Sequence, residues 1–203
     1  MSLAKALWAA NKREAERIRA HGFMQGLANG QLPVESFKRY VAQDAYFLEA
    51  FARAYAFCLA HSTARDDLQG FAELIAGVLD ELKLHKSYAE RWQVSLDGVT
   101  PVGATSAYVE FLLDTARRGN LGETVAAMTP CMRLYAWLGQ SLAAQPVAET
   151  YAEWVKTYAD LGFEVLAARL EQLLDRQAED TPAVRANYRR ALELEYGFFD
   201  ANL

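Results

Sequence analysis

The chain has 203 residues, of which 52% are apolar and 23% charged, and a net charge of −5. That balance excludes a disordered chain, and the length suffices to bury a core without disulfides or metal. The acidic excess removes the electrostatic footprint that nucleic-acid binding requires and makes acidic substrates a poor match.

In chain order, apolar residues recur at three-and-four spacing and predict helices over about 3–28, 33–60, 65–92, 104–118, 121–144, 147–177 and 182–201. Pro33, Pro146 and Pro182 sit where a first helical turn tolerates proline, Thr181 can cap the last helix, and Asn120 followed by Glu123 resembles a capping box. Leu96 to Gly103 is the one long break. With only 12 glycines and five prolines, turns are too few for a many-stranded barrel or sandwich. The expectation is an all-α, single-domain helical bundle of seven or eight helices spanning residues 1–203.

Lys5, Lys12 and Arg13 come too early for the apolar stretch of a signal peptide, and the uncharged run Leu134 to Ala148 is too short to span a bilayer. A cytoplasmic protein without membrane contact is expected. In a reducing compartment Cys58 and Cys131 read as free thiols. No phosphate-binding glycine motif, GxSxG elbow or HExxH occurs, and His21, His61 and His85 follow Ile18, Cys58 and Leu82 at three residues' distance, so Glu-x-x-His metal pairs are missing. Neither metal nor cofactor is expected. Lys12 to Arg17 alternates charge at helical spacing and reads as a solvated face.

Three helices carry a reactive residue on an apolar stripe. Asp44 interrupts Phe37, Val41, Leu48, Phe51 and Tyr55; Glu195 interrupts Val184, Tyr188, Ala191 and Phe198; Cys131 lies in line with Val125, Met128, Tyr135 and Leu138. A carboxylate facing a helical core costs several kcal/mol unless it is bonded or serves a cavity. Pro130, just before Cys131, deletes the amide that would bond Ala126 and should kink the helix beside the thiol. Each residue alone has an ordinary explanation: a core cysteine is usually inert, Asp44 can bond a tyrosine, and Glu195 can lie just off its stripe. Their coincidence on three helices, beside Phe47, Tyr135 and Phe198, describes a pocket that holds a flat ring between aromatic faces.

At these residues the sequence resembles the TenA family of aminopyrimidine aminohydrolases, or thiaminase II, of the haem-oxygenase-like helical superfamily. The likeness is carried by Phe37-Lys38-Arg39-Tyr40-Val41-Ala42-Gln43-Asp44, Tyr46-Phe47-Leu48, Glu81-Leu82-Lys83-Leu84-His85 and Pro130-Cys131 with Tyr135 and Gly139. Tyr151-Ala152-Glu153-Trp154-Val155 with Tyr158, and Glu195-Tyr196-Gly197-Phe198-Phe199-Asp200, complete it nearly end to end. The resemblance implies Cys131 as nucleophile, Glu195 at a ring nitrogen and Asp44 at the 4-amino group. It also implies Tyr108, Tyr135 and Tyr158 as pocket lining and Phe47 and Phe198 as stacking rings.

The implied activity is hydrolysis of 4-amino-5-aminomethyl-2-methylpyrimidine, and of thiamine, to the hydroxymethyl pyrimidine in thiamine salvage. Homotetramers are typical of such proteins. Phe47 stands where tyrosine is frequent, Leu194 precedes Glu195 in place of tyrosine, and Met132-Arg133 replace an aromatic; these departures bear on substrate preference. Two other functions fit the same pocket: a cofactor-free oxidase of the same superfamily, and a non-catalytic pyrimidine-binding regulator.

Overall fold

A computed structural model describes residues 1–203 and shows ten α-helices, one short 3-10 turn and no strands. They are α1 Leu3–Ala10, α2 Lys12–Arg19, α3 Gly22–Asn29, α4 Val34–His61, α5 Arg65–Trp92, α6 Gly103–Arg117, α7 Leu121–Ala143, α8 Ala152–Ala159, α9 Leu161–Gln177 and α10 Pro182–Asn202; the 3-10 turn, Glu149–Tyr151, precedes α8. The expected all-helical class is observed. The number of helices is larger than seven or eight because two expected helices are subdivided by short polar side chains.

The segment expected as one helix over 3–28 breaks at Asn11 and His21. Asn11 donates from Nδ2 back to the Leu7 carbonyl at 2.8 Å, and His21 turns extended so that its Nδ1 accepts from the Phe23 amide at 3.1 Å, starting a new helix. Asp160 does the same within 147–177: its backbone is extended and its Oδ1 accepts from the Gly162 amide at 2.7 Å, capping α9. Pro146 lies in the preceding turn rather than in a first helical turn, and Pro33 is the cap residue of α4. Thr181 and Asn120 cap as expected, accepting from the Val184 and Glu123 amides at 3.2 and 3.0 Å.

Around α7 the bundle is assembled: α4, α6, α8, α9 and α10 all pack against it. Sixteen of its 23 residues are buried, so it is apolar on nearly every side, as a central helix must be. The helix runs through Pro130 without interruption. Arg133 leaves the core face and clamps α9, reaching Glu164 at 2.9 Å and Glu171 at 2.7 Å. A continuous core of 52 buried residues joins the elements, Cys58 among them. No helix is long and apolar enough to cross a membrane.

The closest approach in this packing is at Gly139, where a Cβ would meet the Tyr158 carbonyl carbon at 2.3 Å and the Ala159 amide nitrogen at 2.5 Å. Backbone cannot step aside as a flexible side chain does, so α8 docks only because Gly139 lacks a side chain. Gly139→Ala is expected to cost about 2 kcal/mol or more and to lower the melting temperature by roughly 4–8 °C. An unchanged melting temperature in differential scanning calorimetry would refute this contact.

Candidate active site

The stripe residues converge where α4, α7 and α10 face one another. Cys131, on α7, places its thiol against the carboxyl of Glu195 on α10. Tyr108, on α6, donates to Glu195 Oε1 at 2.8 Å, which fixes the carboxyl from the other side. Asp44, on α4, borders the same narrow cavity as Cys131, Phe47, Tyr135 and Phe163. That cavity has room for about one water molecule.

Aromatic rings form its walls in two groups. Phe47 packs on Tyr108 at 4.6 Å between ring centres and on Phe198 at 6.1 Å; Tyr135 packs edge-on against Tyr158 at 4.8 Å. Tyr108, Tyr158, Glu195 and Phe198 do not themselves line the narrow cavity but back the residues that do. A larger vestibule on the α5–α9 side shares Glu81, Met132 and Phe163 with it, so these three separate the inner space from the outer one.

Glu81 and His85 are the site residues to which the sequence reasoning gave no role. They lie one turn apart on α5, four residues being the helical repeat that puts both on one face. His85 Nε2 is 2.7 Å from Asp44 Oδ2, its Nδ1 is 3.1 Å from the Glu81 carbonyl, and Tyr158 donates to Glu81 Oε1 at 2.6 Å. Asp44, Glu81 and His85 each offer a ligand atom within 4.8 Å of one another. These hydrogen bonds already engage every member, so the trio reads as a proton network rather than a metal cage. The usable signal was Glu81-x-x-x-His85, a spacing that a search for Glu-x-x-His passes over.

Burial governs the electrostatics. It pushes the Cys131 thiol well above its ordinary range, and the nearby Glu195 and Asp44 charges push it further, so the resting group is a thiol. Glu195 is raised from an ordinary 4.5 to about 8, chiefly by burial; its bonds to Tyr108 and Cys131 oppose the shift and the Asp44 charge adds to it. Glu81 is raised to about 7, again mainly by burial, since its carboxyl is deep although the residue borders the vestibule. Cys58 is pushed to about 12 by burial and has no acid beside it, as befits a core filler.

The helical bundle that closes a thiol, an acid and a set of aromatic rings into one small space has the haem-oxygenase-like fold. Comparison with known proteins makes the relationship specific. The chain belongs to the TENA/THI-4/PQQC family, whose model matches residues 9–203.

Among curated relatives, the bifunctional TH2 protein of Arabidopsis thaliana is 32% identical over 96% of this chain, which spans only 36% of that longer protein. The aminopyrimidine aminohydrolase of Halalkalibacterium halodurans is 33% identical over 88% of this chain and 83% of its own length. A crystal structure described as a TenA family transcription regulator, from a Silicibacter species, superimposes with a TM-score of 0.92 at 26% identity, covering 98% of this chain and 95% of that one.

Because folding raises the Glu195 pKa, its contribution to stability is fully present below the unfolded value of 4.5 and is lost as pH rises through about 8. Glu195→Gln has no proton to lose. The melting temperature of the variant is expected to gain on the wild type between about pH 5 and pH 8 and to run parallel above that. Curves parallel across the whole range would show that the carboxyl is not held protonated.

Proposed function

We propose that the protein is an aminopyrimidine aminohydrolase, or thiaminase II, acting by covalent cysteine catalysis. It converts 4-amino-5-aminomethyl-2-methylpyrimidine, and thiamine, to 4-amino-5-hydroxymethyl-2-methylpyrimidine. The observation that carries the reading is the Cys131 thiol set against a Glu195 carboxyl that keeps its proton near neutral pH. The curated relative from Halalkalibacterium halodurans bears the name of this activity over most of both chains.

The chemistry begins with a thiol and a carboxylic acid. Glu195 gives its proton to a ring nitrogen as it takes the Cys131 proton, so sulfur adds to the ring carbon and the ring remains neutral. The electron pair displaced into the ring then expels the group on the 5-methylene: the amino group of the aminopyrimidine first takes the Glu195 proton and leaves as neutral ammonia, whereas the cationic thiazolium of thiamine leaves as the neutral thiazole and needs no proton. Water adds to the exposed methylene and returns a proton to Glu195. The carbon–sulfur bond breaks, the ring nitrogen gives up its proton to the departing sulfur through Glu195, and aromaticity is restored. Asp44 accepts from the 4-amino group, Phe47 and Tyr135 flank the ring plane, and Phe198, Tyr108 and Tyr158 pack behind them and exclude water.

Cys131→Ser is expected to lower hydrolysis of the aminopyrimidine by about a thousandfold or more, and Glu195→Gln by roughly 10²–10⁴-fold, as ammonia release measures. Equal turnover by wild type and Cys131→Ser would remove the nucleophile.

The description of the Silicibacter relative favours a second reading, a non-catalytic pyrimidine-binding regulator. Calorimetric binding of the hydroxymethyl pyrimidine with no hydrolysis of any thiamine fragment would select it. The protein is further proposed to act in the cytoplasm as a single-domain homotetramer. Leu161 and Val165, 80% and 65% exposed on α9, support association. Light scattering on the eluting peak is expected to give four chain masses, and a monomer would end that part of the proposal.

A further inference from the structure

His85 is almost wholly buried, in contact with Asp44, and the reaction above gives it no part. Its two ring nitrogens face acceptors. Nδ1 meets the Glu81 carbonyl, which has no proton to give, so Nδ1 carries the hydrogen of that bond. Nε2 meets Asp44 Oδ2 at 2.7 Å, the short distance of a charge-assisted bond. Asp44 Oδ1, in contrast, makes no hydrogen bond within the chain, and Asp44 lines the inner cavity.

We propose that His85 is the positioning residue of the pyrimidine site. It stands as an imidazolium donating from both ring nitrogens, and so fixes Asp44 as an ionised acceptor whose second oxygen takes a hydrogen bond from the substrate's exocyclic amino group. Only the last clause rests on the aminopyrimidine reading.

The surroundings favour this charge assignment. The titratable groups facing the pair are Tyr40 from α4, Glu81 and Tyr88 from α5, Tyr108 from α6, Cys131 and Tyr135 from α7, Tyr158 from α8 and Glu195 from α10. None carries a positive charge, so His85 is the cation available to this set. Burial alone lowers the affinity of His85 for its proton, yet the Asp44 bond, the Asp44 and Glu81 charges and the Glu81 carbonyl outweigh burial and raise it. An ionised Asp44 can only accept, and a protonated one would present a hydroxyl that competes with the amino group as donor. Holding the proton on His85 therefore decides which face of an aminopyrimidine is complementary to the pocket.

Two measurements test this. The first is nitrogen-15 NMR of histidine-labelled wild type without substrate: both His85 ring nitrogens are expected to be protonated at neutral pH. A neutral tautomer at neutral pH would overturn the proposal. The second compares kcat and KM of wild type and His85→Gln across pH, with melting curves confirming the fold. Glutamine keeps an N–H for Asp44 but no positive charge, so a purely structural role survives the change.

For His85→Gln, kcat/KM is expected to fall roughly 10- to 100-fold, mainly through KM. The acid limb of the profile should move toward neutral pH, because the variant lacks the cation that faces the acidic groups of the site. A folded variant with an unmoved acid limb would also overturn the proposal. If wild type hydrolyses no aminopyrimidine, the proposed function fails, while the NMR result still decides the state of His85.

Discussion

Four acidic groups, Asp44, Glu81, Cys131 and Glu195, share one poorly solvated compartment, and they cannot all be charged. Like charges at these depths repel strongly in a low effective dielectric, so the site is stable only where protons or a cation are held with them. The protein answers with one imidazole at Asp44, a tyrosine on each of Glu81 and Glu195, and retained protons on Glu195 and Cys131. The same shortage of charge is what makes the arrangement useful. A carboxyl that titrates near neutral pH can give and take protons within one turnover, and a thiol held neutral until a ring arrives is protected from casual oxidation.

This compartment depends on packing some distance from it. Tyr158 can reach Glu81 only because α8 lies flat on α7 at Gly139, and Phe163 reaches the inner cavity because the chain restarts at Asp160. The Arg133 clamp to Glu164 and Glu171 ties the start and middle of α9 to the helix that carries Cys131. Positioning of Cys131 and closure of the cavity are thus properties of the same three helices.

Much of this was legible in the sequence, for identifiable reasons. Period-3.6 patterning is strong in long helices such as α4 and α7, and it placed Asp44, Cys131 and Glu195 on inward faces. It failed where a helix ends without a loop: Asn11, His21 and Asp160 end one helix and start the next within a residue or two, and apolar spacing barely changes across them. Pairing was beyond its reach as well. His85 looks unremarkable on α5 because its meaning lies in an oxygen 41 residues away, and Arg133, which reads as a departure from the family pattern, turns out to face α9. Gln43 is similar: it receives the Val102 amide at 3.0 Å and donates to the Thr100 carbonyl at 3.1 Å, pinning the 96–103 loop beside Asp44.

The narrow inner cavity and the vestibule meet at Glu81, Met132 and Phe163, with Met132 next to Cys131 in the chain. In the proposed reaction this doorway orders traffic in time. The expelled amine and the incoming water share a passage, so the exposed methylene waits, shielded, until the first has moved out. A leaving group that lingers in the vestibule can recombine, and a small competing amine that slips past Phe163 sooner than water would be captured in its place.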